Sequence, residues 1–129
     1  MTQEATSTAK VGAALSPWLV KHREGVSKPL IDDFLTAVRN CPGQPKVGVI
    51  GFCWGGRYAI LAAHGDLVDA AYAYHPSLVS IPADSHAVKE PMSLALGTQD
   101  SLLGMKEVEQ IKELLENKRM QSKVKLYKD

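Results

Sequence analysis

The sequence predicts an α/β fold: one domain built on a mostly parallel sheet with helices on both faces. Three observations predict it. Short apolar runs rich in Val, Ile, Leu and Ala recur at residues 46–52, 69–75 and Met92–Gly97, without the polar alternation of a half-exposed strand. Segments with apolar residues at helical spacing lie between and around those runs, at 28–40, 54–64 and 105–119. The order strand, helix, strand, strand, helix, strand then follows, which is the pattern of a sheet covered by helices. A chain of 129 residues suits one domain, and 45% hydrophobic with 22% charged residues is ordinary for a globular protein.

In chain order, residues 1–15 are small, polar and aperiodic and read as a flexible N-terminus. Ser16–Pro17 reads as the start of a turn. Trp18, Leu19 and Val20 read as a local apolar anchor packed into a core. The helix at 28–40 takes Ser27 as its cap and Pro29 in its first turn. Its stripe is Leu30, Phe34, Leu35 and Val38, and Asn40–Gly43 stops it. Residues 46–52 form a strand bounded by Pro45 and by Gly55–Gly56. Residues 54–64 form a helix through Tyr58, Leu61 and Ala62, ended by Gly65. Residues 69–75 are a second strand closed by Pro76, and 77–91 a loop or lid with no strong period. Met92–Gly97 is a third strand, followed by a turn carrying Asp100. Residues 105–119 are the clearest helix: Val108, Ile111, Leu114 and Leu115 face in, while charged residues face out. Ser122–Tyr127 is the fourth strand. No internal repeat is present.

Charge and cysteine content narrow the function. A net charge of +1 gives no reason to expect nucleic acid or an anionic membrane as partner. No apolar run is long enough to cross a bilayer, and the first residues lack the basic start and apolar core of a signal peptide. Two cysteines, Cys41 and Cys53, make no disulfide framework, so a reduced cytoplasmic setting is the expectation. No pair of residues has the spacing of a metal site, and no cofactor is implied.

The chemistry concentrates at residues 51–57, GFCWGGR. Cys53 sits where a strand turns sharply into a helix, bracketed by Gly51, Gly55 and Gly56. A residue on so tight a bend is forced into a strained backbone, and its neighbours must be nearly bare for strand and helix to approach. This is a nucleophile elbow with Cys in place of Ser. It places a thiol at a helix N-terminus, where the dipole favours a thiolate and an oxyanion. The plainer alternative is a buried free thiol. A phosphate-binding glycine loop is the other; Phe52, Cys53 and Trp54 would crowd a pyrophosphate there. Asp100, just after the third strand, stands where the acid of a nucleophile–acid–histidine series belongs, or is a turn Asp capping the next helix. The base has no candidate after Asp100. His64 ends the helix after the elbow, His86 lies in the loop, and His75 ends the strand next to the elbow strand.

The residues G-F-C-W-G-G-R, a following Y-H-P-S and a later G-x-x-D resemble the dienelactone hydrolase family of α/β-hydrolases, and its fungal members in particular. The resemblance runs from about Trp18 to the last residue. It implies a partial α/β-hydrolase fold, with 16–129 as the central part of such a domain. It implies Cys53 as nucleophile, Asp100 as triad acid and the backbone N–H of Trp54 as an oxyanion-hole donor; Arg57 receives no role. The implied reaction is hydrolysis of a small lactone, carboxylic ester or thioester through a thioester intermediate. Family members are longer. They carry strands before residue 28 and a histidine segment after the strand at Ser122–Tyr127. The chain is therefore expected to be truncated at both ends, poorly active or inactive alone, and prone to self-association through an exposed sheet edge. The alternative is a catalytically inactive remnant or interaction module with the same fold.

Overall fold

The structure is a computed structural model and describes residues 3–100, 102–118 and 121–128, with side chains from Lys10 onward. It divides into two compact units, Met1–Phe34 and Leu35–Asp129.

The first unit holds α1 (Gln3–Lys21) and most of α2 (Glu24–Arg39). α1 occupies the stretch that reads as loose. Ala5, Ala9, Ala13 and Ala14 favour helix strongly, and they outweigh the Ser, Thr and Gly between them. The turn expected at Ser16–Pro17 does not form; Pro17 lies inside the helix. Trp18 and Val20 are not a core anchor, being 39% and 64% exposed. The Trp18 ring instead stacks on His22 at 4.0 Å. α2 begins at Glu24, so Ser27 lies inside it and is not its cap; the Ser27 hydroxyl donates to the His22 carbonyl (3.0 Å). Of the expected stripe only Leu35 is buried, while Leu30 and Phe34 are each 67% exposed.

The second unit is a four-stranded parallel sheet in the order β1-β2-β3-β4. β1 is Gly48–Phe52, β2 Ala70–Tyr74, β3 Met92–Gly97 and β4 Ser122–Tyr127. Between them run α3 (Trp54–Ala62), a short α4 (Ala83–His86) inside the segment that reads as loop, and α5 (Met105–Glu116). Parallel strands that follow one another in space as in sequence, through right-handed crossovers, put their connections on one face. The core lies accordingly. Ala59, Ile60 and Ala63, Ala71 and Ala73, Met92, Leu94 and Leu96, and Val108, Ile111 and Leu115 form one buried cluster. The register pairs Ala71 with Met92 and Ala73 with Leu94, so these strand residues share a face. The next residues along point the other way, and there Ile50, Phe52 and Tyr74 are 66%, 62% and 42% exposed.

At the amino ends of the strands the charges are paired off. β1 starts at Gly48 and not at residue 46, because the Asp69 carboxylate accepts the Val47 N–H (2.7 Å). Asp69 also binds Arg39 (2.6 Å) and Lys46 (3.3 Å). The hydrogen bond from the Arg39 guanidinium, then that from Val47, holds the Asp69 carboxyl well below the usual carboxylate range.

Candidate active site

The carboxyl ends of the strands are built differently. Cys53 is the single residue between β1 and α3, with φ 50° and ψ −116°. A non-glycine residue with positive φ is uncommon and costs roughly 1–3 kcal/mol, so its surroundings must hold it there. Two glycines make the bend fit. A Cβ on Gly51 would stand 2.0 Å from the Gly55 carbonyl oxygen, and one on Gly56 would stand 2.9 Å from the Pro76 Cα. Gly55 is a correction to the three-glycine bracket, since a Cβ there meets nothing within 4 Å.

Backbone bonds then strap the bend to the segment after β2. Cys53 N–H donates to the Tyr74 carbonyl (3.1 Å), and the Cys53 carbonyl accepts from Ser77 (3.0 Å) and Gly56 (3.0 Å). The thiol of Cys53, an exposed free cysteine, donates to the Ser77 hydroxyl at 3.6 Å. Trp54 opens α3, so its N–H belongs to the helix end that attracts negative charge. Its ring packs against Tyr58 at 4.5 Å between centroids.

Asp100 lies beyond β3 and accepts the Leu102 N–H at 2.8 Å. It does not cap α5, whose cap position is Gly104. Asp100 shares a cleft of about 290 Å³ with Tyr74, His75 and Tyr127, at the carboxyl ends of β2, β3 and β4. Cys53 is not among that cleft's walls, and no hydrogen bond among the described residues joins Asp100 to Cys53 or to His75. His75 is exposed and holds a positive φ of 35°. His64 Nε2 is hydrogen-bonded to the Asp84 carbonyl (2.7 Å). His86 is exposed on α4.

Two residues escaped the sequence reading. Arg57 donates from Nε to the Asp84 carboxylate (3.0 Å), which also accepts the Ser80 N–H (2.9 Å). Arg57 thus ties the helix behind the elbow to the segment that lies over it. Ser77 is buried at 6% exposure, directly against the thiol. The signal for both was available: an arginine and a serine inside the two motifs that bracket the elbow. Among the described residues no three His, Cys, Asp or Glu side chains gather as metal ligands, and no helix is long and apolar enough to cross a membrane.

The family model described as the dienelactone hydrolase family matches residues 2–129. The chain belongs to the dienelactone hydrolase family. Among curated relatives, it is 28% identical over 85 residues to the hydrolase pyvD of Aspergillus violaceofuscus, covering 66% of this chain and 34% of that one. It is 23% identical over 114 residues to the hydrolase tropI of Talaromyces stipitatus, covering 88% and 44%. The chain therefore spans less than half the length of these two relatives. Solved dienelactone hydrolase structures share its fold. A dienelactone hydrolase-like promiscuous phosphotriesterase from metagenomic libraries superposes with a TM-score of 0.72 at 20% identity, covering 91% of this chain and 52% of that one. The dienelactone hydrolase of Anabaena variabilis does so with 0.66 at 20% identity, covering 99% and 57%. The α/β architecture read from the sequence is the family's own, and family and relatives are hydrolases.

Proposed function

We propose that this chain carries the nucleophile half of a dienelactone hydrolase-type active site, which hydrolyses a small lactone, ester or thioester through Cys53. The Cys53 thiolate adds to the carbonyl carbon and forms a C–S bond. The bond to the leaving oxygen or sulfur breaks, and the departing anion takes up a proton. Water then cleaves the thioester, giving the acid and regenerating the thiol. The Trp54 N–H is the donor for the oxyanion, aided by the α3 N-terminus. Asp100 is the acid that would orient a histidine base. The observation that carries the reading is the strained Cys53 backbone at the mouth of a helix, packed between Gly51 and Gly56. Residues 16–129 are read as the central part of the family's domain.

The setting follows by the same reasoning. Relatives in Aspergillus and Talaromyces support a place in fungal metabolite metabolism. Two free cysteines suit the cytoplasm. A small molecule is the partner; nucleic acid and membrane are not. A second copy is a further partner. β1 is an edge strand of the sheet, and the unpaired N–H and C=O groups of such an edge favour pairing with another strand. A compact monomer on size-exclusion chromatography across micromolar concentrations would remove that partner.

One observation favours the second reading, a catalytically inactive remnant or interaction module. Among the described residues the polar side chain on Cys53 is the Ser77 hydroxyl and not an imidazole. Turnover of a p-nitrophenyl ester by this chain decides between them. Turnover that Cys53→Ala abolishes supports the hydrolase; turnover that survives Cys53→Ala contradicts the assigned nucleophile. Absence of turnover in the parent chain supports the remnant.

A further inference from the structure

The segment facing the elbow is strained like the elbow itself. His75 has φ 35° and Leu78 φ 59°, both non-glycine residues in the left-handed region, with Pro76 and Ser77 between them. Strain of this kind persists only where other bonds hold it. Here three contacts hold it. His75 N–H donates to the Ala95 carbonyl (2.9 Å), Ser77 N–H to the Cys53 carbonyl (3.0 Å), and Pro76 lies where a Cβ on Gly56 would have to go. The turn is therefore held by β3 and by the elbow it faces.

What it presents is one polar side chain. Ser77 is 6% exposed, and its hydroxyl meets the Cys53 sulfur at 3.6 Å. A hydroxyl is one donor and two acceptors, and its proton swings to suit the partner. Against a thiol it accepts the S–H. Against a thiolate it turns and donates O–H to sulfur, with no heavy atom moving. A hydrogen bond to a charged group shifts an equilibrium by roughly tenfold or more.

We infer that Ser77 is a catalytic residue of this site: its hydroxyl holds the resting Cys53 thiol in place and stabilises the thiolate when the proton leaves. It is no base, since a serine hydroxyl does not accept a proton outright; the thiol proton goes to solvent. The inference rests on the reading of Cys53 as nucleophile and adds the group that prepares it.

The test is alkylation by iodoacetamide of the full chain carrying Cys41→Ser, so that one thiol reports. Rates are taken across pH 6–10, with melting temperature as a control for folding. Ser77→Ala is expected to slow alkylation about tenfold at neutral pH and to move the midpoint of the rate–pH profile upward. Ser77→Thr, which keeps the hydroxyl, restores most of the rate. A Ser77→Ala profile that overlays the parent's overturns the inference, as does a Ser77→Thr chain that melts like the parent yet reacts as slowly as Ser77→Ala. A parent thiol no more reactive than a short cysteine peptide would overturn the nucleophile reading itself, a different result from either.

Discussion

The two cysteines make an internal comparison. Both are free and exposed, so exposure alone does not separate them. Cys41 follows the C-terminal end of α2, and its thiol donates backwards to the Ala37 carbonyl at 3.5 Å. That end of a helix carries the negative pole of its dipole. Cys53 stands at the opposite pole, before the first residue of α3, on a backbone that glycines and a second strained turn hold in place. Its partner is a hydroxyl able to reverse its bond, where Cys41 faces a carbonyl that can only accept. One residue type thus has two environments, which differ in the helix end beside the thiol and in the partner it meets.

The largest way to break the comparison is to exchange the roles. Cys53→Ala is expected to remove thiol-dependent ester turnover by roughly three or more orders of magnitude, as loss of a nucleophile does, while Cys41→Ser leaves it unchanged. Steady-state rates with a p-nitrophenyl ester check both. Equal losses in the two variants would erase the distinction.

The bend supplies the next test. Gly51→Ala puts a Cβ 2.0 Å from a backbone oxygen and is expected to cost at least about 3 kcal/mol or to prevent folding. Gly55→Ala has open space and lies within α3, so it is expected to be neutral or stabilising by up to about 1 kcal/mol. Urea denaturation of the pair sharpens which glycine the elbow requires.

That contrast shows where the sequence was legible. Strands announce themselves by uninterrupted apolar runs, and Met92–Gly97 and Ser122–Tyr127 form over the predicted residues. The elbow was legible because glycine spacing is a steric statement. Which glycine is indispensable was not, since it depends on where Gly55 and Pro76 come to lie. α1 was missed because alanine's preference for helix carries no periodic signal. Ser77 stood inside a quoted motif, but its partner was not legible, because the two residues lie 24 positions apart and meet across a strand pairing. Asp100 follows β3 in the chain, yet its neighbours in the cleft, Tyr74, His75 and Tyr127, belong to other strands or their ends and carry no signal beside it in the sequence.

A smaller effect is expected behind the elbow. Arg57 and Asp84 are mostly buried, at 16% and 9% side-chain exposure. Arg57→Ala leaves a buried carboxylate without its cation and is expected to cost about 3 kcal/mol, read from denaturant midpoints.

The smallest lies at the amino ends of the strands. The Asp69 carboxyl is held below its ordinary range by Arg39 and Val47, so the folded chain keeps it ionised where the unfolded chain takes up a proton. Its contribution to stability is complete above about pH 4 and is lost progressively as the pH falls below that. The fall in melting temperature between about pH 4 and 2 is therefore expected to be shallower in Asp69→Asn than in the parent.

The most direct measurement uses both cysteines at once. The parent chain is mixed briefly with an activated ester, quenched in acid and digested, and the peptides carrying Cys41 and Cys53 are weighed by mass spectrometry. An acyl group is expected on Cys53 well before any on Cys41. Equal labelling of the two, or labelling of Cys41 first, would contradict it.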